Sequence, residues 1–374
     1  MPSEHAILLK DSVADFVARA TDISRVRALR NTPHEYDHAL WRQMAELGWL
    51  GIALPERYGG MGLGLTETAI VAEGLARALT PEPYTASAVL AAGALAAGDN
   101  EALKSELLPR VVSGEYLPVL AWQESPGTID GAHIAAIATP FEGGFRLNGT
   151  KRYVIGAAGA DGYVVAARTQ TGLVLACVDR DAQGVSTDFD PLADGRSFGT
   201  IELKDAVVPR ERVAATGEAA ANALGRAFDH ATAIAGAELY GVMSRALEMS
   251  VDYMKTRVQF GKPIGSFQAL QHRAVDLYIQ QQLASATLED GLRDLDLDPA
   301  ARERSIVASR IKARCAESGV RITREAIQIH GAIGFTDEFD AGLYLKRAMV
   351  LGAWLGNASQ HRRRYAALTL KEGG

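Results

Sequence analysis

Only two cysteines, Cys177 and Cys315, occur in 374 residues. One sits in an apolar strand-like run and the other in a helical one, with no metal-ligand spacing, so both read as buried packing residues rather than a disulfide or a metal site. A reducing compartment fits that usage. Basic excess is missing as well: 39 Lys plus Arg stand against 45 Asp plus Glu, a formal net charge of −6. Binding a phosphate backbone needs a positive surplus, so nucleic acid is not an expected partner. No apolar run is long enough to span a bilayer, and the N-terminus, with Glu4, Lys10 and Asp11 around a short apolar patch, lacks the layout of a secretory signal. The expectation is a cytoplasmic protein with no membrane partner. Internal repeats and low-complexity segments are also missing.

What is present is enough apolar residue, 48% of the chain, to bury a large core in two or three structural units. The first part reads as helices, because Leu9, Val13, Phe16 and Val17 recur at helical spacing and Leu40, Met44 and Leu47 do so again. Leu54-Pro-Glu-Arg-Tyr-Gly-Gly-Met-Gly-Leu-Gly64 interrupts them as a glycine-rich turn. From about Leu117 to Val213 short β-branched and aromatic runs alternate with turn residues, among them Phe145-Arg-Leu, Asn148-Gly, Lys151-Arg-Tyr-Val-Ile and Tyr163-Val-Val-Ala-Ala. Past Val207-Val-Pro209 the composition turns Ala-rich with helical periodicity from about Ala220. Further helices are expected over Leu270 to Leu292, Ala301 to His330 and Phe339 to Leu368. The fold class is therefore α+β, with a helical domain over 1–116, a β domain over 117–219 and a helical bundle over 220–374.

The stretch Tyr253-Met-Lys-Thr-Arg-Val-Gln-Phe-Gly-Lys-Pro-Ile-Gly-Ser-Phe-Gln-Ala-Leu-Gln-His272 closes one long helix, turns at Gly261 and Pro263, and opens another. Together with Gln328-Ile-His-Gly-Ala-Ile-Gly334 downstream, it closely resembles the signature of flavin-dependent acyl-CoA dehydrogenases, and the order helices, strands, helices resembles that family's architecture over the whole chain. The resemblance implies FAD as cofactor, an acyl-CoA substrate and an electron-transfer flavoprotein as electron acceptor. It further implies that Arg257 and Phe260 reach across a subunit interface to a neighbour's flavin, Arg257 pairing with the pyrophosphate through its planar fork, while Gln328, Gly331 and Gly334 approach the adenosine side. The turn after Leu54 resembles a family element near the acyl-binding region. His330 reads as a helix-end histidine satisfied by backbone.

The family's own-chain half of the flavin site is altered here. Its usual Thr-Glu-Pro followed by Gly-Ser-Asp is replaced by Gln123-Glu-Ser-Pro-Gly-Thr-Ile-Asp130, in which Glu124 and Asp130 survive. On the next strand Tyr153 keeps an aromatic that stacks on flavin, although a half-buried strand aromatic reads equally well, and Ile155 replaces a threonine, so no hydroxyl remains to donate. The α-proton base is missing from both places where the family puts it: Leu355 in Trp354-Leu-Gly-Asn357, and Ala231 at the alternative position. Asp229 and Glu238 are the acids left nearby, each read as a cap or interhelical polar contact before a base, and together with Glu124 they are the candidates for a relocated base.

Intact outward elements, an altered cis half and no base together resemble the base-less small subunits of two-subunit acyl-CoA dehydrogenases of the pimeloyl-CoA and steroid side-chain types. That implies α,β-dehydrogenation of an acyl-CoA by a heterotetramer in which a homologous base-bearing subunit supplies the glutamate. A homo-oligomer with a relocated acid, a reductase-dependent flavin monooxygenase of the same fold and a scaffold remain alternatives. Arg362, Arg363 and Arg364 read as the solvated end of the last helix, where cations favour the dipole, ahead of a phosphate or CoA contact.

Overall fold

The computed structural model describes residues 4–20, 22–30, 36–127, 129 and 133–370. Helices α1 (Glu4–Ala20), α2 (Ile23–Ala28), α3 (His38–Glu46), α4 (Leu65–Arg77), α5 (Ala92–Ala96) and α6 (Glu101–Val112) precede the strands. Next come β1 (Pro118–Ala121), β2 (Ile137–Phe141), β3 (Gly144–Ile155), β4 (Gly162–Thr169), β5 (Gly172–Asp179), β6 (Val185–Pro191), β7 (Ser197–Pro209) and β8 (Val213–Thr216). Helix α7 (Gly217–Thr256), the two-residue strands β9 (Val258–Gln259) and β10 (Lys262–Pro263), and helices α8 (Gln268–Asp296), α9 (Ala301–His330), α10 (Ala341–Ala353) and α11 (Ala358–Thr369) complete the chain. This is the expected order of N-terminal helices, central sheet and C-terminal bundle. Residues pack into two compact units, 27–68 with 81–231, and 1–26 with 69–80 and 232–374. Among the described residues no helix is long and apolar enough to cross a membrane, and both cysteines are buried and unbridged.

The sheet belongs to the unit containing residues 81–231. Its order is β6-β7-β3-β2-β4-β5-β8, with β1 added in parallel beside β4. Alternating and fully apolar strands such as β4 bury Tyr163, Val164, Val165 and Ala166 almost completely, as a strand covered on both faces must. Asn100 ties helix to sheet: its Oδ1 caps α6 by accepting from Leu103 N, and its Nδ2 donates to Glu211 O and Val213 O at 3.1 and 2.8 Å. A seven-residue π-helical stretch, Thr85–Ala91, runs into α5 with every residue buried.

In the other unit, α9 buries a stripe of Val307, Ala308, Ile311, Cys315, Ala316, Ile322, Ala326 and Ile327, spaced as one helical face. Gly241 lets α7 approach α4, because a Cβ there would lie 2.3 Å from Glu73 O. The C-terminal end of α4 is closed by α10. Buried Arg347 donates to Thr80 O and Leu79 O, both at 3.1 Å, and Tyr344 Oη donates to Arg77 O at 2.7 Å. Carbonyls that a helix end leaves unsatisfied thus gain a cation and a hydroxyl.

One expected helix, Phe339 to Leu368, is two. It breaks at Trp354–Asn357, where Leu355 and Gly356 both take positive φ, 57° and 99°, and Asn357 restarts α11 through a reciprocal capping box with Gln360. Two buried side chains hold the break. Lys312 Nζ donates to Leu351 O, Trp354 O and Gly356 O at 2.6, 2.7 and 3.1 Å, which uses all three ammonium protons. Burial pushes its pKa down to about 7, against the pull of Cys315 and Glu238. His361 Nε2–H donates to Leu355 O at 2.8 Å while its Nδ1 accepts from Ser309 Oγ at 3.2 Å. Burial, with Lys312 nearby, lowers the pKa of His361 from 6.5 to about 3.

Two stability effects are expected. Arg347→Met strands the carbonyls of Leu79 and Thr80 and should lower the unfolding free energy in urea by about 3 kcal/mol; a loss under about 1 kcal/mol would mean water replaces the guanidinium there. For His361 the folded pKa lies below the unfolded one, so the unfolded chain takes a proton first as pH falls. Its contribution is complete above about pH 6.5 and is lost progressively toward pH 3. Between pH 6.5 and 5 that loss should be about 2 kcal/mol, and it should vanish from the acid slope in His361→Asn.

Candidate functional site

Helix α7 stops at Thr256, whose hydroxyl bonds back to Asp252 O at 3.0 Å. Arg257 N then donates to Tyr253 O, Ile264 N donates to Arg257 O, and β9 pairs with β10 in register Gln259↔Lys262. The hairpin tip is Phe260 at φ 53° and Gly261 at φ 77°, two left-handed residues in succession as a tight hairpin turn needs. Glycine takes that conformation freely, whereas a phenylalanine there is strained by about 1 kcal/mol. Phe260 is also 91% exposed. Its only ring neighbour among the described residues is Phe267, edge to face at 6.1 Å, and Phe267 in turn carries Lys262 Nζ at 4.4 Å from its centroid. Gln271 Nε2 closes the base of the hairpin on Gly265 O at 2.9 Å. Arg257 is exposed and forms no ion pair with any described residue.

The same end of this unit carries the Gly331 turn. His330 is buried between Tyr253 and Phe339, with ring centroids 4.5 and 4.4 Å away, and Nδ1–H donates to Ala326 O at 2.7 Å. Burial lowers its pKa, against carbonyl contacts that raise it. It is a packing residue, as the sequence suggests, and it fastens the end of α9 to the last turns of α7. Gly331 follows at φ 64°, ψ −138°, a conformation reserved for glycine, and no atom lies within 4 Å of where its Cβ would be. Gln328 and Phe335 are exposed beside it, while Gly334 is buried. Exposed guanidinium, exposed ring and an open glycine turn thus share one surface.

Acid chemistry is missing from the two expected positions. Leu355 is 2% exposed and stands on the Lys312–His361 pedestal, and Ala231 is fully buried in α7. Asp229 is 1% exposed in the same helix, and Glu238 is half-buried. Glu124 is committed elsewhere: Oε1 takes the Lys151 ammonium at 2.5 Å and Ala136 N at 2.9 Å, and Oε2 takes Ala135 N at 2.6 Å. With three donors on one carboxylate, it is a clamp between the end of β1 and β3.

Gln123 turns inward, Nε2 bonding Ser125 O at 3.0 Å. Tyr153 sits at φ 59° in a bulge between Lys151 and Val154 and packs on Phe198 at 5.1 Å. Ile155 is 8% exposed. The hollow beside it, bounded by Tyr36, Pro81, Pro83, Gly159 and Arg196, holds about 10 Å³, hardly one water. Tyr36 fills the space, its Oη donating to Gly159 O at 3.2 Å. Asp130 lies outside the described residues. The exposed donors and ring around Arg257, Phe260 and Gly331 fit the phosphates and rings of a flavin dinucleotide, whereas the hollow at Ile155 has room for about one water.

Lys312, His361 and Lys151 were not legible as site-building residues. The signal for Lys312 was present, since position 312 falls on the buried stripe of α9 where a lysine has no business unless carbonyls await it.

Comparison with known proteins identifies the family. Residues 3–115 match the acyl-CoA dehydrogenase N-terminal domain and residues 221–369 the acyl-CoA dehydrogenase C-terminal domain. The acyl-CoA dehydrogenase IpdE2 of Mycolicibacterium smegmatis is 30% identical over 369 residues, 98% of this chain and 99% of its own. Among solved structures, the ChsE4–ChsE5 complex from Mycobacterium tuberculosis superposes with TM-score 0.90 at 29% identity, covering 100% of this chain and 99% of the other. A Tcur3481–Tcur3483 steroid ACAD variant gives TM-score 0.89 at 30% identity, covering 98% of each chain. The chain belongs to the acyl-CoA dehydrogenase family, FAD-dependent oxidoreductases acting on CH–CH bonds.

Proposed function

We propose that this chain is the subunit without a catalytic glutamate in a heteromeric acyl-CoA dehydrogenase, and that it completes a flavin site whose base belongs to a homologous partner. One observation carries the reading: the positions for the base hold Leu355 and Ala231, both buried and aliphatic, while the outward-facing hairpin is intact. FAD, when bound, supplies the acceptor for the substrate's β hydride. This chain's part is to orient it. Arg257 donates its guanidinium fork to the pyrophosphate, Phe260 covers the ring system, Gln328 donates to the adenosine side, and Gly331 and Gly334 let backbone come close. The exposure of the Phe260 ring ends once the ring is covered.

Abstraction of the α proton then falls to the partner's carboxylate, because the two family positions for the base hold Leu355 and Ala231. The likeness to ChsE4–ChsE5 and to a steroid ACAD supports a two-subunit assembly and a bulky acyl-CoA substrate. Electrons leave to an electron-transfer flavoprotein, in the cytoplasm.

In complex with the base-bearing partner, Arg257→Gln in this chain should weaken FAD binding by about tenfold or more, the worth of a charge-assisted hydrogen bond, and Phe260→Ala should weaken it further. Asp229→Asn and Glu238→Gln should leave turnover within about twofold, against a loss of 10²–10⁴ for a true general base. Loss of turnover from one of those amides would instead identify a homomeric enzyme with a relocated base.

A further inference from the structure

Arginines mid-way along α9 and on α11 build a feature that the flavin surface does not use. Helices α8, α9 and α11 enclose a groove of about 340 Å³ lined by Arg310, Arg314 and Arg362 together with Ser309, Glu317 and Tyr365. Residues 310, 314 and 317 follow one face of α9, and 362 and 365 one face of α11, so the helical repeat itself converges these side chains. Charge is unbalanced in the groove. Arg362 is paired with Glu317, and Arg310 with Asp294 at 2.9 Å, both partly exposed. Arg314 has no carboxylate. It is half-buried, and its one hydrogen bond among the described residues is to the amide oxygen of Gln280 at 3.3 Å. Arg364 stands behind, donating to Ser309 Oγ and Ser305 Oγ at 3.4 and 3.0 Å. Of the three guanidiniums lining the groove, two already hold a carboxylate, Asp294 and Glu317, and Arg314 does not, with a fourth guanidinium close by.

We infer that this groove binds a phosphate-bearing small molecule, with the free fork of Arg314 taking two phosphate oxygens and Arg310 and Arg362 flanking. A guanidinium held partly out of water without an anion is costly, and a planar fork matches a phosphate edge in a way a lysine would not. The volume accommodates a diphosphate with part of a nucleoside, and Tyr365, 38% exposed at the rim, offers a ring face for a base. Glu317 opposes the anion and sets the affinity below what three arginines alone would give. The sequence reading of Arg362 as solvated helix end thus covers only part of its surroundings.

Calorimetric titration of the full-length protein with inorganic pyrophosphate and, separately, with ADP tests this. Saturable binding that weakens with added salt is expected. Arg314→Gln should weaken it about tenfold or more, Arg314→Lys should recover only part, and Glu317→Gln should tighten it, an opposite change that misfolding cannot mimic. Tighter binding of ADP than of pyrophosphate assigns the phosphate to a nucleotide; equal binding assigns the site to the diphosphate alone. No saturable heat with either ligand, or binding unmoved by Arg314→Gln, overturns the inference.

Discussion

A buried ammonium group fixes the break between the last two helices of this molecule. Lys312 Nζ gathers the carbonyls of Leu351, Trp354 and Gly356, and without a donor for each of them the break between α10 and α11 would leave buried acceptors unsatisfied. His361 takes the fourth carbonyl, that of Leu355. The backbone at residue 355 is therefore dictated by side chains from α9 and α11, and not by residue 355 itself. On such a pedestal a side chain can be exchanged without refolding the loop, which is how the proposed loss of the glutamate at residue 355 leaves the architecture intact.

The opposite economy holds at the hairpin. The two-residue turn sets Phe260's left-handed backbone, but among the described residues nothing covers its ring, and Phe267 and Lys262 hold the tip in place without burying it. Strain and exposed apolar surface at one residue make sense together when another molecule covers them. Around Ile155 the reverse is seen: the hollow is closed by Tyr36, and the strand residue there offers no hydroxyl. One surface is open and the other closed, as the proposed divided active site requires.

Much of this was legible in the sequence. Helical spacing and alternation gave the order of elements, and α9 begins and ends where the pattern said. The RxxFG stretch pointed to a helix–hairpin–helix, because Gly261 and Pro263 leave few other conformations. The break at Trp354–Asn357 was not legible, since its cause lies in residues distant along the chain: a lysine on a neighbouring helix and a histidine on the next. Glu124 looked like a surviving polar residue of uncertain role, and only its contact with Lys151 identifies it as a clamp. Tyr153 shows why one strand residue could not be assigned from type alone. Its position in a bulge and its packing on Phe198 depend on the pairing of β3 with β7.

The most direct measurement is the flavin content of the complex purified with its base-bearing homologue, taken per polypeptide from the visible spectrum and protein mass. A divided site predicts one FAD for each pair of unlike chains, and none retained by this chain once separated. One FAD on every chain, with this polypeptide alone yellow and able to oxidise an acyl-CoA, would contradict it.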